Sequence, residues 1–191
     1  MRTSMVFVLS VFLLLSCTMS ETRIYNLSLP AAEEMPNAGA SAKVNVIVRA
    51  PRYLDQPYIA HRNSPYELQL SDTARWDASP ADIVRGAVRD SLSSSGRFAV
   101  VGTSAATPPG FYRCEVALHK FERFDKGNDS FGELDLEITL LSPGDRILYR
   151  NSLSKEMKLP DRSSLSLAKF LSEALSQGLD EAKVAIIKTL P

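Results

Sequence analysis

Three carboxylates at alternate positions, Glu133, Asp135 and Glu137, are the residues of this chain best suited to acid–base work, since hydrolysis of a glycosidic bond needs two carboxyl groups flanking it. Each is separated from the next by an apolar residue, Leu134 or Leu136, which is the pattern of a half-buried strand with its polar side in water. A solvated strand face is therefore preferred over a hydrolase. The two histidines, His61 and His119, have no Glu or Cys beside them at metal-ligand spacing, so no metal site is expected. G-x-S-x-G, Walker-type and C-x-x-C motifs are absent, which removes the common nucleophilic, nucleotide-binding and redox chemistries. No catalytic residue is assigned, and the chain is not expected to be an enzyme.

The cysteines carry the remaining chemistry. Cys17 closes the run Leu14-Leu15-Ser16-Cys17, behind one basic residue, Arg2, and an apolar stretch from Val6 to Leu15 broken only by Ser10. That order is an export signal, and it is too short for a spanning helix, which needs about 20 apolar residues. The boundary resembles the lipobox of bacterial lipoproteins, with a leucine three residues before the cysteine and a small residue just before it; Leu15 is larger than usual there. Ordinary signal cleavage is the alternative. The lipobox makes residues 1–16 a signal peptide and Cys17 the attachment point of an N-acyl diacylglycerol group, with no other cofactor. Several acyl chains, each CH₂ worth about 0.8 kcal/mol on burial, hold a domain at a bilayer essentially permanently. Thr18 stands where the Gram-negative retention signal would place Asp, which favours the periplasmic face of the outer membrane. Cys114 then has no partner in the chain; it falls on the inward side of a strand with Tyr112, Val116 and Leu118, where a thiol acts as a small hydrophobe.

With 191 residues and 45% hydrophobic content, the chain is long enough for one domain with a proper core. Basic and acidic residues balance at 22 each, and losing Arg2 with the signal hardly changes that. A neutral balance gives no electrostatic case for nucleic acid or for a polybasic membrane patch. Residues 17–22 are read as the lipidated start and a short tether, and 23–191 as the domain. Six extended residues, 18–23, reach at most about 20 Å, so the domain is expected to sit close to the membrane.

Alternation predicts strands over Arg23–Leu29, Lys43–Arg49, Tyr58–His61, Tyr66–Leu70 and Arg97–Val101. A meander of three strands follows over residues 111–153, turned at Lys126-Gly127-Asn128-Asp129 and Pro143-Gly144-Asp145. Ser79, Pro80 and Asp82 announce a helix, as cap, first-turn proline and acid at the positive end of the dipole. Leu165 to Leu190 carries a long apolar stripe, the mark of a second helix. The expected fold is α/β of the α+β type, a two-layer sandwich with a mixed, largely antiparallel sheet and two amphipathic helices on one face. Strand order is left open. Phe121, Phe124 and Phe131 crowd one hairpin end, as packing or as a docking patch; Trp76, before the helix cap, either staples the helix to the sheet or anchors an interface.

The run Val46-Ile47-Val48, then Tyr53-Leu54-Asp55-Gln56-Pro57-Tyr58-Ile59, Arg62-Asn63, Tyr66-Glu67-Leu68 and Trp76 before a Pro-initiated helix resembles the ABC-type transport auxiliary lipoprotein family, which includes PqiC-like proteins. Ile24-Tyr25-Asn26-Leu27 resembles the usual opening of that family. The resemblance implies a non-catalytic envelope partner of an MCE-type substrate-binding protein and an ABC permease, or of a Pqi-like membrane component, in systems that move lipids or other hydrophobic molecules. It is compatible with a homo-oligomer and supplies no catalytic residues. The candidate partner interface is Tyr53, Leu54, Asp55 and Arg62 on a Pro-flanked loop, with Trp76; the alternative is that Tyr53 and Leu54 pack beneath that loop while Asp55 caps a turn. A periplasmic lipid-binding carrier is the second functional class and a cell-envelope hydrolase the third.

Overall fold

The computed structural model describes residues 21–30 and 40–190. The signal segment, Cys17 and most of the tether lie outside the described residues. Eight strands form one sheet: β1 (Arg23–Tyr25), β2 (Ala42–Arg49), β3 (Tyr58–Ser64), β4 (Glu67–Trp76), β5 (Phe98–Gly102), β6 (Tyr112–Lys126), β7 (Asp129–Leu141) and β8 (Ile147–Lys158). Two helices, α1 (Pro80–Ser93) and α2 (Ser164–Thr189), cover one face, and a 3-10 turn, Arg52–Asp55, interrupts the passage from β2 to β3. The fold is the expected two-layer α/β sandwich. Its meander is β6, β7 and β8, each antiparallel to the next, while shorter parallel ladders join β1 to β4, β5 to β2, and both β2 and β3 to β6.

The sheet is organised by β6. On one side it pairs with β7 along its whole length. On the other, residues 112–117 pair with β2 and residues 122–124 with β3. Thus β2 and β3 run along the same edge, both parallel to β6, and Pro51, which has no backbone N–H, opens the gap between them. The chain fills that gap with the 3-10 turn, closed by Leu54 N–H to the Pro51 carbonyl at 2.8 Å.

Opposite the gap, β6 carries a bulge. Leu118 pairs with Leu136 but Lys120 pairs with Asp135, so His119 is an extra residue. Such an insertion reverses which side chains face which way. Cys114, Val116 and Leu118 face the helices before it, and Phe121 after it, all at 0–1% exposure. Glu122 is thereby turned to the opposite face.

Both helices begin as their caps require. Ser79 Oγ accepts from Asp82 N–H and Ser163 Oγ from Ser166 N–H, each at 3.1 Å, meeting donors that the first helical turn leaves unpaired. Helix α2 lies so close on the sheet that two glycines are obligatory: a Cβ on Gly132 would sit 2.2 Å from the Phe170 ring, and one on Gly178 would sit 2.1 Å from Leu153. No acyl chain fits between α2 and the sheet at these two points.

Several boundaries differ from expectation. β1 stops at Tyr25 rather than Leu29 because its partner β4 ends at Trp76 and turns into α1; Leu27 and Leu29 instead rest partly buried on the core, and Ser28 N–H bonds Ser172 Oγ at 3.1 Å. β4 runs to Trp76 rather than Leu70, and β8 to Lys158 rather than Leu153. The segment added to β8 is largely polar, and that added to β4 is polar through Thr73 before ending in the buried pair Ala74 and Trp76, so polar residues near the sheet's border interrupt the alternation.

Candidate functional site

The structure gathers two of the candidate interface residues around one that sequence reasoning missed. The Glu122 side chain has no solvent exposure, and Arg62 Nε reaches its Oε1 at 2.6 Å. The Tyr53 hydroxyl donates to its Oε2 at 2.8 Å and lies 3.3 Å from the His119 carbonyl that the bulge presents. Arg62 also stacks over the Tyr53 ring, 5.8 Å from the guanidinium carbon to the centroid. The gap between β2 and β3 is therefore where Tyr53 enters, and the bulge is what turns Glu122 toward it.

Electrostatics explain why the cluster needs all three. Glu122 lies directly across from Glu133 of β7, and like charges at facing strand positions repel. Each carboxylate has its own cation: Arg62 for Glu122, and Lys120, at 2.9 Å, for Glu133. Burial, reinforced by the Glu122 charge and hydrogen bond, pushes the Tyr53 hydroxyl above its ordinary pKa. It is a fixed donor at neutral pH, and Arg62 is a fixed cation; neither is suited to shuttle protons. The cluster holds a rigid, partly exposed Tyr–Arg pair on the open face of the sheet, which is the chemistry of recognition.

The other candidates separate. Leu54 is 0% exposed and tucks toward α1, so it packs beneath the loop and offers a partner no surface. Trp76, 2% exposed, meets Phe121 edge to face, with centroids 5.4 Å apart. Its placement is that of the staple between strand and helix. These two residues are withdrawn from the interface by burial, whereas Asp55, on the same 3-10 turn as Tyr53, is exposed. Of the three phenylalanines, Phe121 is core, and Phe124 and Phe131 face one another across β6 and β7, half-buried.

The carboxylate series on β7 lies on the open face, but less solvated than its alternation predicts: Glu133 and Thr139 are buried, because Lys120 and Arg150 lie across them. Among the described residues no three His, Cys, Asp or Glu side chains are grouped to hold a metal ion. His61 Nε2 pairs with Gln69 Oε1 at 3.0 Å, and His119 is exposed at the bulge. Cys114 is fully buried, and that burial pushes its thiol up to about 12, which leaves it an unreactive core residue. No described helix is long and apolar enough to cross a membrane.

Glu122 had a signal in the sequence. Cys114, Val116 and Leu118 share one phase, but the next large apolar residue, Phe121, is three positions on rather than two. A strand that keeps both in its core must contain a bulge.

Comparison with known proteins agrees with this architecture. The sequence model of the ABC-type transport auxiliary lipoprotein component matches residues 25–182. Among solved structures, the Xanthomonas campestris protein XCC0632 superposes with a TM-score of 0.71 at 21% identity, covering 86% of this chain and 97% of that one. A second, uncharacterized protein gives a TM-score of 0.66 at 16% identity, over 87% and 99% of the two chains. At such identities these likenesses bear on the fold. No curated protein matches the sequence. A match that begins at Tyr25 in β1 and ends at Ala182 within α2 covers most of the described sandwich, and the chain belongs to the ABC-type transport auxiliary lipoprotein family.

Proposed function

We propose that this protein is a non-catalytic adaptor of an ABC/MCE-type intermembrane transport system, anchored through lipid on Cys17 at the periplasmic face of the outer membrane. The observation that carries the reading is the family match across residues 25–182. The site agrees with it: Tyr53 and Arg62 are held in place by the buried Glu122 carboxylate, with Asp55 exposed two residues along the chain from Tyr53. An MCE-type substrate-binding protein, working with an ABC permease or a Pqi-like membrane component, is the partner, and the transported molecule is a lipid or another hydrophobic compound.

The carrier alternative loses support at the contact of α2 with the sheet, where Phe170 covers Gly132 and Leu153 covers Gly178 and an acyl chain has no room. The test is co-purification of the tagged chain with the MCE-type protein encoded nearby. Capture is expected for the parent and reduced for a variant carrying Arg62→Glu and Asp55→Lys. A chain that remains a free monomer under all conditions would count decisively against the adaptor.

A further inference from the structure

One end of the sandwich collects features that the adaptor role does not use. The β3–β4 turn lies beyond the Ser64–Glu67 pair, and β3 runs parallel to β6, so the β6–β7 turn beyond Lys126–Asp129 is at the same end. β8 finishes there too, with Lys158 opposite Phe131, and the chain then enters α2. β1 runs parallel to β4, with Arg23 opposite Ala74, so the residues before Arg23 lead back along β4 toward that end.

Glu21, Arg23, His61, Arg123 and Arg162 line a cavity of about 560 Å³ there, floored by strand residues and bounded by Ser163 and Ser164 at the start of α2. Three arginines face one lining carboxylate. Asp125 takes up the Arg123 guanidinium, at 3.0 Å to each oxygen, whereas Arg23 has no ion pair among the described residues. Arg162 donates to the Gly127 carbonyl and Asp161 is engaged by Ser163. Tyr66, on the β3–β4 turn, is 97% exposed, and Leu165, at the start of α2, 52%.

We propose that this end is a membrane-contact surface, on which Tyr66 enters the headgroup layer and Arg23 and Arg162, on the cavity that Arg123, held by Asp125, helps to wall, take the phosphate of a phospholipid of the bilayer that holds the chain. The inference rests on lipidation of Cys17. Only three residues separate Cys17 from Glu21, which lines the cavity, and four residue steps reach at most about 14 Å, so the anchor brings this end, and not the far one, to the bilayer. Guanidinium groups match phosphate oxygens in geometry as well as charge. Tyrosine is favoured at the lipid–water boundary because its ring is apolar and its hydroxyl stays wet.

The test uses the full lipidated chain reconstituted in vesicles of phosphatidylethanolamine and phosphatidylglycerol with brominated acyl chains, which quench tryptophan at the interface. Tyr66→Trp is compared with Pro143→Trp at the opposite end of the sheet, and the parent, whose Trp76 is 2% exposed, sets the baseline. Quenching at position 66 is expected to exceed that at 143 by about twofold or more, as for an interfacial aromatic. Adding Arg23→Glu and Arg162→Glu, both on exposed side chains, is expected to bring it down to the level at 143. Equal quenching at the two positions, or quenching at 66 that ignores the charge reversal, overturns the proposal while the chain still floats with the vesicles. A chain that does not float overturns the anchor itself, and the membrane surface with it.

Discussion

Glu122 shows how one residue's placement governs a surface. A carboxylate without solvent exposure is tolerated only while its charge is answered, and removing one member of a buried pair costs about 3–5 kcal/mol. Arg62 keeps 25% of its side chain exposed, which screens part of that, so Arg62→Met is expected to cost about 2–3 kcal/mol in urea unfolding. Adding Glu122→Gln should return part of the loss, because the amide needs no cation; a double variant as unstable as the sum of the two would show that the residues act separately. Two aspartates are expected to contribute to acid sensitivity, Asp125 more than the exposed Asp161. Burial opposes ionisation of Asp125, but hydrogen bonds from Arg123 and Ser130 hold its pKa below the ordinary value, and Ser163 and Ser166 hold Asp161 down to about 2. A carboxylate depressed on folding contributes stability above its unfolded pKa, about 3.9, and that stability is lost as pH falls through the folded value. The Tm of the parent should therefore drop between about pH 4 and pH 2, and Asp125→Asn with Asp161→Asn should flatten that slope; an unchanged slope would remove these groups from the account.

At the scale of elements, the contact of α2 with the sheet is the feature most sensitive to a small change. Gly132 and Gly178 let Phe170 and Leu153 approach where any side chain would collide. Gly132→Ala and Gly178→Ala are each expected to lower stability by about 1–3 kcal/mol, the usual cost of overpacking a core, whereas Gly86→Ala, with open space at its Cβ and a helical position, should be neutral or mildly stabilising. Thermal melts of the three variants check this, and a Gly132→Ala as stable as Gly86→Ala would mean that α2 can move off the sheet. The elements were unevenly legible beforehand. The helix start at Ser79, the apolar stripe of α2 from Leu165 and the meander of β6, β7 and β8 follow from a cap, turns and periodicity within one stretch of chain, whereas the Ser163 cap of α2 came only with the structure. The ends of β4 and β8 did not follow either, because polar residues near a solvated border interrupt the apolar rhythm.

For the whole molecule, the proposed anchor on Cys17 and the sandwich are expected to be separable. The described domain has its own core, running from Val44 and Val46 through Leu136 and Leu140 to Leu171 and Leu175, and no helix that could itself cross a membrane. Cys17→Ala is expected to leave a folded domain in the soluble periplasmic fraction, with an unchanged circular dichroism spectrum and without transport activity; a variant that stays with the membrane would transfer anchoring to the domain. What the sequence by itself determined was local: the cap of α1, the turns of the meander, the apolar stripe of α2 and the family block from Val46 to Trp76, all of which depend on neighbouring residues, and these were enough to point to a sandwich. Only the tertiary structure decided that β2 and β3 share one edge of β6, that the bulge at His119 turns Glu122 toward Tyr53 and Arg62, and that Leu54 and Trp76 are core. Those outcomes depend on pairings between segments tens of residues apart: the three-residue step from Leu118 to Phe121 marks a bulge, but not which segment meets the face that it turns.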